Sequence, residues 1–325
     1  MSGMAVLAAV GLTVSACGND NSSTSTQGSS AATVTFGLQP SSATACLKVT
    51  DDRGIFRKHR IAMKYATPAP TSAGQIAQVL NGQITAGYGA YTAVISAVGN
   101  NLPVVITSGI EKDYERDGTT PDAVIVGKNS GIRSFKQLEG KTVAVNSLQG
   151  SWEVLLREAV SKSGGDPSKV KLVAVPFPDQ GTVLKSGRVD AVSTLQPFVG
   201  QLISEGLKSI GDPQPISFGK PDAITSVSFM SKKFATENPD VIRRFVAASQ
   251  EGNQWCNAHP DDMKKAIARI TKAPLAVVDK TPVPLYDAGI VSAETDTWSK
   301  LLVKYRILKE APSAGEVQWA GASAQ

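Results

Sequence analysis

From residue 32 onward, short β-branched apolar runs alternate with stretches of helical spacing, cut by Gly, Pro and Asn. Val34-Thr-Phe-Gly-Leu38 reads as a strand that stops at Gln39-Pro40. Ile76, Val79 and Leu80 share one face of a helix over 73–80, with Ser72 as its candidate N-cap and Asn81-Gly82 as its stop. A strand over 84–87, a helix over 91–98 and a strand over 102–107 follow. Pro103 sits near the start of that last strand, where a missing N–H is tolerated.

The pattern then begins again. Ser134-x-x-Gln137 has the form of a capping box for a helix ended by Gly140, and a strand follows over 142–145. Trp152, Leu155, Leu156, Ala159 and Val160 make a helical stripe closed by Gly164-Gly165. A strand over 171–175, a helix from Gln180 to Gly187 and a strand over 189–192 complete this half. The two halves can be laid together: Asn81-Gly-Gln-Ile-Thr-Ala86 matches Ser186-Gly-Arg-Val-Asp-Ala191, each a helix stop followed by a small strand. A weak repeat of this size predicts two similar α/β lobes. The remainder is helical. One helix starts at Asn238-Pro239 and carries Ile242, Phe245 and Val246 on one face. A second runs over 261–270, and a third starts at Ser292 with Trp298, Leu301, Leu302 and Tyr305 inward.

Length agrees with two lobes, since 325 residues at roughly 150 per domain suggests two. The net charge of +5 is scattered, and no Lys/Arg block exceeds Lys232-Lys233. A nucleic-acid partner would want a basic stripe with interleaved aromatics, so none is expected. The N-terminus changes the picture more. Residues 4–14 form an almost wholly apolar run, too short to span a bilayer but right for a signal-peptide core. It ends in Val14-Ser15-Ala16-Cys17, which resembles a bacterial lipobox. Residues 1–16 therefore read as a signal peptide, and 17–31 as a lipidated Cys17 and a polar tether. No Lys or Arg precedes Cys17, so the usual basic start of such a peptide is missing; a start site further upstream would supply it. The expected location is the outer face of the cell membrane.

With Cys17 lipidated, Cys46 and Cys256 remain, an even number for an oxidising compartment. A Cys46–Cys256 disulfide is expected; two separate buried thiols are the alternative. No Cys-x-x-Cys occurs and the only histidines are His59 and His259, so neither a zinc site nor another cofactor is expected. Enzyme motifs fail too. Gly87-x-Gly89-x-x-Thr92 lacks the third glycine of a dinucleotide loop, and Gly140-Lys141-Thr142 has Phe135 where a P-loop needs glycine. No Gly-x-Ser-x-Gly exists.

Residues 134–198 read SFKQLEGKTVAVNSLQGSWEVLLREAV…VPFPDQ…LKSGRVDAVSTLQPF. With Val79-Leu-Asn-Gly-Gln-Ile84 and Asn238-Pro-Asp240 before an amphipathic helix, the chain resembles the nitrate/taurine/aliphatic-sulfonate class of ABC-transporter solute-binding proteins over roughly 34–305. The resemblance implies the α/β fold of type II periplasmic binding proteins, two lobes joined by two crossing hinge strands. Lobe 1 would be 32–117 plus 222–325, with a helical C-terminal extension; lobe 2 would be 118–221; the hinge strands would be 123–126 and 225–229. It further implies a monomer that delivers a small solute to a permease and, through it, an ATPase. A thiamine-pyrimidine-synthase-like enzyme and a receptor feeding a sensor are the rival readings on this fold. That enzyme's metal-binding histidines and clustered cysteines are absent here.

In open α/β sheets ligands bind beyond the carboxyl ends of strands, where helix N-termini and loop amides converge. The loops 37–44, 86–92, 146–152 and 194–199 qualify, and none contains Lys or Arg. The candidate contacts are Gln39, Tyr88, Tyr91, Asn146, Ser147, Gln149, Ser151, Gln196 and Phe198. An anionic head group, as of a sulfonate or carboxylate, would then be held by amides, hydroxyls and helix dipoles, each dipole contributing roughly 0.3–1 kcal/mol. The aromatic side chains suit an apolar or ring body. Plain readings exist for the same residues: Ser147 and Ser151 as helix caps, Gln196-Pro197 as a turn, Trp152 as core and Tyr88 packed on a neighbouring loop.

Overall fold

The computed structural model describes residues 31–114 and 120–321. Its strands are β1 (Ala32–Gly37), β2 (Ile61–Ala66), β3 (Ala86–Ala90), β4 (Val104–Lys112), β5 (Asp122–Val126), β6 (Thr142–Val145), β7 (Lys171–Ala174), β8 (Ala191–Leu195), β9 (Lys208–Ser209), β10 (Ile224–Ser231) and β11 (Leu285–Tyr286). They form two sheets. The first has the order β11-β4-β10-β3-β1-β2, the second β7-β6-β8-β5-β9. Each is parallel at one end, where crossover helices connect strands, and carries one antiparallel strand brought in from the other lobe. β10 runs antiparallel between β3 and β4, and β5 runs antiparallel between β8 and β9.

The chain thus passes from one sheet to the other twice, between β4 and β5 and between β9 and β10. The segments expected as hinge strands lie inside the sheets instead. Ala123 to Val126 are all buried in the second sheet, and Val227, Phe229 and Met230 are fully buried in the first. Apolar side chains on both faces commit these strands to a sheet interior, which leaves the crossings to the segments before them.

The internal repeat has a direct backbone counterpart. Gly82 and Gly187 have φ of +70° and +71°, just after the helices Ser72–Leu80 and Phe177–Lys185 and before β3 and β8. A Cβ at either position would meet nothing within 4 Å, so it is the left-handed turn that asks for glycine there. Caps differ in detail from expectation. Thr71, not Ser72, accepts from the Gly74 amide at 3.1 Å; Ser72 Oγ instead accepts from the Ala90 amide at 3.2 Å and ties this helix to β3. The Ser134 box yields only the short 3-10 turn Phe135–Leu138, because the Gln137 side chain accepts from the Arg133 amide.

The helix Ser42–Asp52 had no large apolar stripe to announce it. Its inward face is Ala43, Ala45, Cys46, Leu47, Val49 and Thr50, small residues that suit close approach of the helix Pro239–Ala258. A Cβ on Gly252 would fall 1.9 Å from Thr50 Oγ1, so only glycine fits that crossing. A Cys46–Cys256 disulfide joins the same two helices. The helices Pro239–Ala258 and Ser292–Lys304 bury Ile242, Phe245, Trp298 and Leu302 against the two faces of the first sheet. The second lobe has its own core around Val124, Val143, Leu156 and Val160.

Candidate functional site

The loops after β1, β3, β6 and β8 converge on a cavity of about 600 Å³ between the sheets, within the usual size range of small-molecule sites. Gln39, Ser41 and Tyr88 line it from the first lobe; Asn146, Ser151 and Gln196 line it from the second. Trp152 and Phe177 add an edge-to-face aromatic pair, centroids 5.2 Å apart, on the second wall. The stretch 267–284 closes one side with Ile267, Val277 and Pro282. The lobes touch beside the cavity, where Thr92 Oγ1 and Ser151 Oγ are 2.6 Å apart. They touch again where Lys304 Nζ (2.5 Å) and the Tyr305 hydroxyl (2.7 Å) donate to the Glu158 carboxylate.

Of the nine candidate contacts, five line this cavity: Gln39, Tyr88, Asn146, Ser151 and Gln196. Gln196 is partly engaged already, donating to the Thr120 carbonyl (3.3 Å) and accepting from the Gly200 amide (3.2 Å). Four need correction. Tyr91 is fully buried, its hydroxyl 2.5 Å from Thr295 Oγ1, because the C-terminal helices cover the face of the Tyr91–Gly99 helix on which it lies. Ser147 and Gln149 are exposed and off the cavity wall. Gln149 takes φ +59° and gives its amide to Glu153 Oε2 at 2.8 Å, which turns the loop tip outward. Phe198 opens the helix Phe198–Ser204, half-buried and away from the lining. Cys17 lies outside the described residues.

The loops of the repeat do not contain the strongest charges at the cavity. Glu111 at the end of β4 and Asp122 at the start of β5 both line it. Burial pushes the Glu111 carboxyl up to about 7. Burial, then the charges of Asp212, Asp113 and Glu111, hold Asp122 well above the ordinary carboxylate range. Behind them, burial and the Asp212 charge raise Asp113 to about 9, and burial raises Asp212 to about 7. Lys112 also lines the cavity, but its ammonium already faces Asp287 (3.1 Å) and Asp222 (3.7 Å). Burial raises Tyr88 too; its hydroxyl lies beside Ser41 and Ser226, and Ser226 Oγ itself is buried without a hydrogen bond. The sequence signal for these acids was slight: single carboxylates at the ends of apolar strands, Glu111-Lys-Asp113 and Asp122, flanking a crossing rather than a repeat loop.

A family model described as NMT1/THI5 like matches residues 41–263. The chain belongs to this family. Two curated relatives resemble this NMT1/THI5-like protein at the sequence level. A putative aliphatic sulfonates-binding protein of Bacillus subtilis is 24% identical over 214 residues, 62% of this chain and 63% of the relative. A formylaminopyrimidine-binding protein of Halalkalibacterium halodurans is 26% identical over 231 residues, 69% of this chain and 65% of the relative. The chain thus spans less than two thirds of the length of either. Among solved structures, the periplasmic aliphatic sulphonate binding protein of Escherichia coli superposes with a TM-score of 0.72 at 16% identity, covering 90% of this chain and 94% of that one. The fold is that of periplasmic binding proteins with two α/β lobes; the two relatives above are named as binding proteins, while a 2'-hydroxybiphenyl-2-sulfinate desulfinase of Rhodococcus erythropolis is 30% identical over 89 residues, 26% of this chain and 24% of the relative.

Proposed function

We propose that this protein is the extracytoplasmic receptor of an ABC importer, tethered through a lipidated Cys17, which captures a small organic solute between its lobes and passes it to a permease. The observation that carries this reading is a cavity lined from both lobes, Gln39 and Tyr88 on one wall and Asn146, Ser151 and Gln196 on the other. Neither wall alone desolvates a polar group, so affinity requires both and binding is coupled to the angle between them. On this reading the lobes divide at about 117 and 221 and turn about the two crossings. Neither histidine nor cysteine lines the cavity among the described residues, which favours capture over catalysis.

Thermal unfolding with a panel of sulfonates, carboxylates, amines and pyrimidines tests the reading. A ligand at a thousand times its Kd raises stability by about 4 kcal/mol, and small-angle scattering of the same complex should report a smaller radius of gyration. Failure of every solute to stabilise the protein would refute it. Intact mass of the mature chain tests the anchor: a diacylated Cys17 as first residue is expected, since two chains hold a membrane stably where one is marginal.

A further inference from the structure

We propose that the captured solute carries a protonated amine or amidine, received by the carboxylates of Glu111 and Asp122. This rests on the receptor reading above and specifies its solute. Three observations lead to it. First, Glu111 and Asp122 come from opposite sheets, β4 and β5, and both line the one cavity, so a single solute can meet a carboxylate from each lobe. Second, no cation at the cavity is free to answer them. Lys112 is the one Lys or Arg among the described lining residues, and it is held by Asp287 and Asp222, while Asp113 and Asp212 add acidic groups behind the floor.

Third, a buried polar group beside the acids lacks a partner. Ser226 pairs with Glu111 across β10 and β4, lines the cavity at 5% exposure, and its hydroxyl lies beside that of Tyr88 without a hydrogen bond closed between them. Buried polar atoms are normally satisfied, so an orphan that faces a ligand cavity marks a place for a ligand atom. Carboxylates and a hydroxyl are acceptors suited to N–H donors. A sulfonate or carboxylate would find two acids that must stay protonated beside it and no free ammonium or guanidinium. A bound cation supplies the partner that makes buried carboxylates tolerable, since an opposite charge offsets their desolvation. Trp152 and Phe177 then face the body of the solute, and an aromatic wall favours a cation as well.

Calorimetric titration of the full chain tests this with matched probes: benzylamine, phenethylamine and benzamidine against benzenesulfonate and benzoate. At least one cationic probe should bind, with the anions silent. Glu111→Gln and Asp122→Asn should each weaken that binding roughly ten- to a hundredfold, the loss expected for a hydrogen bond to a charged group. Neither variant should melt lower without ligand, because each removes a buried acid that lacks a cationic partner. Binding of an anionic probe with lobe closure in scattering would overturn the cationic assignment and leave the receptor intact. Cation binding unchanged in both variants would overturn the role of these carboxylates. Silence from all three cations would also overturn the inference, and the receptor reading falls with it only if the wider solute panel is silent as well.

Discussion

The two walls of the cleft are built from matching stretches of sequence, yet they present their residues differently. In the first lobe the loop after β3 runs straight into the helix Tyr91–Gly99, and the C-terminal helices lie over that helix. Tyr91 is drawn into the core, with Thr295 as its partner, and Tyr88 and Ala90 are left for the cavity. In the second lobe the loop after β6, which the repeat matches to the loop after β1, has no such cover among the described residues. Ser147, Leu148 and Gln149 stay exposed at its tip, and the cavity takes Asn146 and Ser151 from its two ends. A repeat therefore places the loops, while the segments packed on only one copy decide which side chains face the ligand.

The first lobe also carries, on the face of its sheet opposite that cover, the helix Pro239–Ala258, and loosening it should give the largest effect. The disulfide from Cys46 to Cys256 ties this helix to the Ser42–Asp52 helix and spans 210 residues of sequence. On the chain-entropy account a loop of this size contributes about 5 kcal/mol. Cys46→Ser, or reduction of the native protein, should lower the melting temperature by many degrees. Limited proteolysis should then cut the C-terminal helices before it cuts 142–195. Equal melting with and without reductant would show that packing alone holds the helix Pro239–Ala258.

The seam between the lobes offers the next test. Asp113 and Asp212 flank the two crossings, and their native carboxyls sit at about 9 and about 7 against an ordinary 3.8. The folded state therefore holds protons that the unfolded chain releases. This contribution is complete below about pH 4 and is lost as pH rises through the native values. Stability should fall by up to about 1.4 kcal/mol per pH unit for each proton between about pH 4 and 9. Thermal unfolding from pH 5 to 8 should show that decline, and Asp113→Asn should flatten it. A variant whose curve runs parallel to the native one would remove Asp113 from the account.

Much of this architecture was legible because it is local. Alternating apolar runs located β1, β6 and β7, and the matched Asn81-Gly82 and Ser186-Gly187 stops located the two cavity walls. What escaped depends on residues far away in sequence. The Ser42–Asp52 helix is buried through small side chains, and its closest fit is to Gly252, some two hundred positions on. Tyr91 belongs to the core only because Thr295 arrives beside it. Glu111 and Asp122 become neighbours of one cavity only after both crossings are made, and no spacing or motif announces that. Charge-free loops suggested an anion held by amides; the buried acids beside them are the ground for the cationic solute proposed above.

The smallest effect expected is also the one that separates placement from pattern. Tyr91 and Ser147 stand in loop-to-helix segments of the two halves, at different places in the repeat, and pattern alone assigns both to the ligand. The geometry separates them. Tyr91→Phe removes a buried hydroxyl and leaves Thr295 with one partner fewer, Gln318 Nε2 still donating to it at 2.5 Å. It should cost about 1–2 kcal/mol of stability with solute affinity unchanged. Ser147→Ala removes an exposed hydroxyl whose one side-chain contact is to Asn146 Oδ1 at 3.5 Å, the limit for a hydrogen bond. Stability should move by less than about 0.5 kcal/mol, the usual range for surface substitutions, and affinity should not move at all. Unfolding and calorimetric titration of both variants give four numbers, of which only the Tyr91→Phe melting temperature should change. A tenfold loss of affinity from Ser147→Ala would mean that the 146–150 loop folds inward over bound solute, and the symmetry of the two walls would then be restored in the closed state.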